Sequence, residues 1–587
     1  MQQNKDGEQK LFRLFGHFSL ALVVGFTTLN ADSKQSFTDF KKSQAKSFQT
    51  YKDERDNEFN SYLKQQFEAY KVYVSEPLYE KPKPKEITPT IAKKIKKVGP
   101  KVIITVKKKK PLHVEDTKVT KAKEVQKKLQ AEKLVREAQL AKELRIAKAQ
   151  EAQEAKKAAE KAAALVAMQA DEANKAKAKK DAIKAELAAR EAAKAEELAR
   201  IEEEKRLAAA IAILAAKKAE PKVINKDINF DFYGTRVGFD IPKGIQNAKF
   251  YPQNQKGISS FFSAAASSEY DALIRNLKTT SQDMNLNDWG VYLLVLEVSD
   301  KLFSEQDDSK LMSWFIFNKM GYAVKVGLAN RHIVLMHYSK KIIYSTPNYS
   351  FGKKKYYVVS KYAKGRVGRL FSYKQDYPGS TKALDLSLST LPKFTEDTKY
   401  KTLEFKQFGN TYTVPFTYNQ NIIDFMATYP QADYDTFFNA PLDTQTYEAI
   451  ASGLKKYVDG KKASDAMNFV LNFVQKSFKY ERDNQQFGRE KVMFAEETLY
   501  FDKSDCEDRA VLFSYLMKEL FHVPVIGVKY SDHMATALYI PISGDNVIRN
   551  SKKYVVADPT YINANIGMSM PKYKSKKPQS YIVVKRK

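Results

Sequence analysis

The sequence predicts an α+β protein in which a β-rich domain and a final mixed domain follow a long Ala/Lys/Glu-rich helix. Three observations predict it. Between Pro111 and Pro221 there is no Gly and no Pro, and residues 121–220 hold 33 Ala with 24 basic and 18 acidic side chains. These are strong helix formers. From Val223 the texture changes to Asn, Gly, aromatic and β-branched residues in short alternating runs, the pattern of half-buried strands. Helical and strand patterns then follow one another without a fixed repeat period. The 587 residues carry a net charge of +30. By count, residues 1–220 carry +16 and the other 367 carry +14, and only the second part has the aromatic content to bury a large core. A basic balance invites acidic partners, but no nucleic-acid-binding pattern is present, so nucleic acid is not an expected partner.

Residues 1–31 read as an export signal. Lys10-Leu-Phe-Arg13 precedes the apolar run Phe18-Ser-Leu-Ala-Leu-Val-Val-Gly-Phe26, and Thr27-Thr-Leu-Asn-Ala31 offers a cleavage site. The run is about 12 residues against the roughly 20 that a span needs. The expectation is a periplasmic or cell-envelope protein, with an uncleaved anchor as the alternative.

Residues 32–75 place Phe37, Phe40, Phe48, Tyr51, Phe59, Tyr62, Leu63, Phe67 and Tyr70 at helical spacing, which predicts an amphipathic helix or helical pair. Residues 76–111 are a Pro/Lys-rich linker. Four prolines fall within 77–89, and residues 71–110 contain 13 Lys against three Glu. Proline there forbids helix and favours extended backbone. Such a linker is a solvated spacer, or a contact for an anionic membrane surface or cell-wall polymer. Residues 112–220 predict a long helix or weak Ala coiled coil, able to self-associate. At 1.5 Å per residue about 100 helical residues reach roughly 150 Å.

Residues 223–440 predict an α+β domain. Ile228–Phe232 and residues 235–241 alternate as strands do, residues 311–322 as a helix ending near Gly321. Further strand patterns lie at 324–328, 333–337, 342–344 and 356–362. Residues 402–414 predict a hairpin turning at Gly409-Asn410. In the final domain, 441–587, helical patterns cover 446–457 and 463–478.

The chemistry lies in that last domain. Cys506 is the single cysteine, which excludes a disulfide scaffold and Cys-rich zinc or iron–sulfur sites. The six histidines are scattered, so no metal or cofactor is expected. Ser504-Asp-Cys506-Glu-Asp-Arg opens a helix whose apolar residues are Val511, Leu512, Tyr515, Leu516 and Leu520. Cys506 therefore falls in the first turn, where unpaired N–H groups and the helix dipole favour thiolate and predict a lowered thiol pKa. His533 stands where a strand over 523–530 passes into one over 534–540, and Asp558 closes a strand over 553–557. Nucleophile, base and orienter at three element boundaries are the components of thiol acyl transfer. The Cys506 backbone N–H is one oxyanion donor. The second is open between Gln485, Gln486 and Tyr500.

Asp505-Cys506-Glu-Asp-Arg-Ala, then His533-Met-Ala-Thr-Ala, then Ala557-Asp558-Pro-Thr-Tyr resembles the transglutaminase-like superfamily of papain-type cysteine domains. The resemblance covers about 465–570 and includes Phe473-Val-Gln-Lys-Ser-Phe-Lys-Tyr480. It implies Cys506 as nucleophile, His533 as base and Asp558 as orienter, in a protease, amidase or transglutaminase-like enzyme acting on a peptide or protein. The alternative is a non-catalytic envelope protein that binds peptide or cell-wall polymer through the same domain. Upstream, Asp308 to His332 parallels Cys506 to His533 in helix, strand and closing histidine, with Asp308 or Ser309 in the cysteine's place. That is either a degenerate copy or a chance similarity.

Overall fold

The computed structural model describes residues 33–65, 71–80, 89–92, 183–184, 186–188, 191, 225–359, 367–407 and 409–585. The export signal, the linker beyond residue 92 and nearly all of the 112–220 helix lie outside the described residues. The few described positions between 183 and 191 are helical and exposed. No described helix is long and apolar enough to cross a membrane.

The chain divides into residues 1–62 and 63–587. The first unit is described by helix α1, Ser33–Gln65. Its predicted aromatic face is buried only late: Phe40 and Tyr51 are exposed, whereas Phe59 and Leu63 are fully buried. The helix stops at Gln65, and the next described element is a strand, β1, Lys71–Val74. The helical segment expected to run to residue 75 is thus shorter. Val72 and Tyr73 are β-formers, and the strand Arg369–Ser372 offers them a partner.

The second unit begins with that strand. A hairpin follows, β2 Ile228–Phe232 and β3 Thr235–Phe239, then four helices: α2 Gln255–Ala266, α3 Asp271–Asp283, α4 Asp288–Leu302 and α5 Gln306–Lys319. Strands β4 Val324–Ala329, β5 His332–Tyr338, β6 Asn348–Phe351, β7 Lys354–Tyr357 and β8 Arg369–Ser372 complete a sheet in the order β1-β8-β4-β5-β7-β6. The strand expected at 342–344 is instead a turn, with Ser345 at φ 53°, and the later part of the one expected over 356–362 lies outside the described residues. Hairpin β9 Thr398–Gln407 and β10 Asn410–Asn419 pairs Gln407 with Asn410. Its turn is therefore one residue earlier than expected, with Gly409 at φ 81°.

Helices α6 Gln420–Ala427, α7 Tyr434–Phe438, α8 Thr444–Val458 and α9 Ala463–Lys476 lead to the last part. Short β11 Lys479–Tyr480 pairs in parallel with β12 Lys503–Ser504, around α10 Asp483–Gln486 and α11 Ala495–Tyr500. Helix α12, Cys506–Phe521, then precedes β13 Val525–Lys529, β14 Met534–Leu538, β15 Asn546–Arg549, β16 Lys552–Ala557 and β17 Ser580–Val583. The fold is α+β.

The two larger sheets repeat one plan. The second has the order β15-β16-β14-β13-β17, which is β6-β7-β5-β4-β8 of the first. Every equivalent pair is antiparallel, and each sheet follows a helix, α5 or α12. A glycine sits at the same place in each first strand. A Cβ on Gly327 would lie 2.8 Å from Leu370, and one on Gly527 2.9 Å from Phe438. The internal likeness in the sequence thus coincides with a shared topology, and its register is corrected. Helix α5 begins at Gln306, so the position matching Cys506 is Gln306, ahead of Asp308 and Ser309.

The hairpins show where the two sheets part. β4 and β5 join through Asn330 and Arg331, both at positive φ, as a two-residue turn matched to strand twist requires. β13 and β14 stay paired one step further: Lys529 faces Met534, and Tyr530 N–H donates to the His533 carbonyl. The longer connection carries His533. In the first sheet His332 is exposed and pairs with Asp307 at 3.0 Å.

His337 in β5 is fully buried, its ring edge-on to Tyr292 and Phe317, and neither ring nitrogen has a hydrogen-bond partner. Burial lowers its pKa from the usual 6.5 to about 3, since nothing there stabilises the charged ring. Between those values the unfolded chain binds the extra proton. Stability is therefore complete above about pH 6.5 and falls as pH drops toward 3. Urea midpoints measured from pH 7 to pH 4 should decline less steeply for His337→Phe than for the native chain.

Candidate active site

Cys506 is the first residue of α12, as its neighbours dictate. Asp505 takes the N-cap, and its carboxylate and that of Asp508 bond reciprocally to the backbone N–H groups of residues 508 and 505, a capping box that fixes the helix start. Behind it Arg509 is buried. It donates to Ser504 Oγ at 3.1 Å, to the Gln475 carbonyl at 3.2 Å and to the Phe478 carbonyl at 2.8 Å. The Gln475 side chain donates to the carbonyls of Asp558 (3.0 Å) and Ala564 (3.1 Å) and accepts from Asn563 N–H. The end of α9 thereby locks the cysteine's helix to the loop that follows β16.

Asp558 leaves β16 with one carboxylate oxygen on the Thr560 N–H (2.9 Å) and the other 2.7 Å from His533 Nε2. The other imidazole nitrogen, Nδ1, is buried without a hydrogen-bond partner. The thiol lies alongside. Its sulfur donates to Glu507 Oε2 at 3.0 Å, and the helix that Cys506 opens packs on β14, the strand that follows His533. All three side chains are shielded: Cys506 is 1% exposed, His533 0% and Asp558 2%. The structure joins His533 to Asp558 directly and sets the helix of Cys506 against the strand that follows His533. No hydrogen bond joins the sulfur to His533; Glu507 holds the thiol proton instead.

The expected low thiol pKa is corrected. Burial pushes the Cys506 thiol well above its ordinary value, and the carboxylates of Glu507 and Asp505 add to the rise. The helix dipole is weak beside complete desolvation and two like charges within one turn. The candidate oxyanion donors are not gathered. Gln485 is exposed, and Gln486 donates to the Lys503 carbonyl at 3.4 Å. The Tyr500 ring packs on Tyr418 and Phe501. None of these contacts is with Cys506, and the Cys506 backbone N–H stays the donor fixed by helix geometry.

Sequence reading missed several members. Tyr573, 40 residues beyond His533, stacks on the imidazole with ring centres 5.0 Å apart, and Tyr530 completes the aromatic layer. Lys529, 7% exposed, lies over the Tyr434 ring and within the field of Glu507. Carboxylate oxygens of Asp483, Asp505 and Glu507 come within 4.8 Å of one another, the spacing of a cation site among the described residues. Burial and the charges of Asp483 and Glu507 raise the Asp508 pKa, so the cluster holds a proton more readily than free carboxylates. No motif marks these residues, since they converge from separate elements.

No family model, no curated protein and no solved structure matches this chain.

Two measurements check the site. At pH 8 Glu507→Gln should raise the iodoacetamide labelling rate of Cys506 several-fold over the native chain, because one of the charges that hold the thiol protonated is gone. Gln475→Leu leaves three backbone groups without their partner, and chemical denaturation should show a loss of about 2–4 kcal/mol.

Proposed function

We propose that the chain is a thiol acyl-transfer enzyme of the transglutaminase-like kind, exported to the cell envelope, acting on an amide or peptide bond of a polypeptide. One observation carries the reading: His533 has one nitrogen fixed by Asp558 and the other without a hydrogen-bond partner, just ahead of β14, the strand packed on the helix that begins with Cys506. A base so oriented takes the thiol proton as the sulfur attacks the carbonyl carbon. The imidazolium then returns that proton to the departing amine, and a water or an acceptor amine releases the acyl group. Asp558 keeps the ring oriented and stabilises its charge. The Ala/Lys/Glu-rich composition of residues 112–220 suits a role in reach, and the basic linker suits an anionic membrane surface or cell-wall polymer.

A second reading has its own observation. A thiol that is buried and bonded to Glu507 suits a module that binds peptide or wall polymer without chemistry.

Acyl-enzyme formation with a peptide thioester, followed by intact mass, separates the two. The native chain should gain the acyl mass and Cys506→Ala none, with little change in thermal midpoint. His533→Ala should slow acylation about 10²–10⁴-fold, and Asp558→Asn should retain part of the rate. A native chain that never acylates under conditions where its thiol is accessible leaves the binding module standing.

A further inference from the structure

Three buried groups raise the question of what covers them, and two separate pieces of chain pack beside His533 and on the loop that begins with Asp558. The first is the segment after β16. It turns through a single 3-10 turn, Pro571–Tyr573, which presses Tyr573 onto the His533 ring. Asp532, in the hairpin connection that carries His533, ion-pairs with Lys572 and with Lys576 (3.1 Å), on either side of that tyrosine. These bridges hold the Asp532 pKa down to about 2. The second piece comes from far upstream. Ile91 forms a parallel bridge with Ile562, Ala92 N–H donates to the Ile562 carbonyl at 2.7 Å, and Ala92 is buried in the apolar cluster that contains Tyr561 and Tyr573. Residues 71–80 are themselves moored by β1 on β8, by Glu76 to Lys355 and Ser350, and by the Tyr79 carbonyl on Ser345 N–H. The Pro-rich linker is thus tied at both described ends, and its last described residues lie on the loop that begins with Asp558.

We infer that residues 89–92 and the turn at 571–576 form a cover that keeps this site shut, so that the resting chain is self-inhibited and its reactivity is set by release of that cover. The inference rests on the thiol acyl-transfer reading for what the site does, but not for whether it is covered. A polypeptide carbonyl cannot reach a 1%-exposed sulfur until some neighbouring segment leaves. The cover is joined to its base by ion pairs with half-exposed lysines and by one bridge, contacts of the kind that open locally without global unfolding. Arg509, Gln475 and the capping box, in contrast, are buried in the scaffold.

The test uses full-length protein and the fact that Cys506 is its single thiol, so every label reports this site. Iodoacetamide labelling would be timed for the native chain, Asp532→Asn, Asp532→Glu and Ala92→Asp, with the thermal midpoint of each. Asp532→Asn weakens both lysine contacts and should label about fivefold faster, and Asp532→Glu should stay near the native rate. Ala92→Asp places a charge in the apolar cluster, ejects the strap and should label tenfold faster or more. Native rates in both Asp532→Asn and Ala92→Asp would overturn the cover, as would a rise seen only in protein whose thermal midpoint has fallen. Faster labelling in both, with no acylation by the peptide thioester, would keep the cover and remove the catalytic reading. Acylation of the native chain with unchanged labelling in the variants would do the reverse.

Discussion

Arg509 and Gln475 make the link on which the site depends. A buried guanidinium that donates to Ser504, Gln475 and Phe478 fixes the first turn of α12 against the end of α9. The Gln475 amide then fixes the loop of Asp558 through three backbone groups. Burial lowers the Arg509 pKa only to about 10, with Tyr480, Asp505 and Asp508 supporting its charge, so the ion is kept at neutral pH. A buried cation is tolerable only when its donors are satisfied. Here that need places a helix start and a strand end at fixed separation, and cysteine and aspartate come with them.

Within this frame the imidazole is held by a carboxylate on one nitrogen. The thiol has two carboxylates and no water, which favours its neutral form. The thiol proton is held in the bond to Glu507. Displacing that bond, or admitting water as the cover leaves, moves the thiol toward ionisation by reversing the desolvation that raised its pKa.

The paired sheets show why the candidate residues stand together only at the second. Both sheets follow a helix, carry a glycine in β4 or β13, and share the same neighbour order. The first spends its β4–β5 connection on a two-residue turn and begins its helix with Gln306. The second lengthens the connection, which carries His533, and begins its helix with Cys506. A shared scaffold with different termini and loops is how sites are grafted on folds.

Much of this was legible in the chain itself. The single cysteine beside a capping pair marked a helix start, and alternation marked β13, β14 and β16 to within a residue or two. His533 and Asp558 at strand ends marked what would meet, because capping, periodicity and strand termination are local properties that neighbouring residues decide. The sequence could not give the fate of the thiol proton, the aromatic layer of Tyr573, the Gln475 tie or the docking of Ala92 on Ile562. These join residues tens to hundreds of positions apart, and the thiol pKa depends on how completely they exclude water. The dipole argument was local and pointed down; desolvation is set by the whole tertiary fold and pointed up.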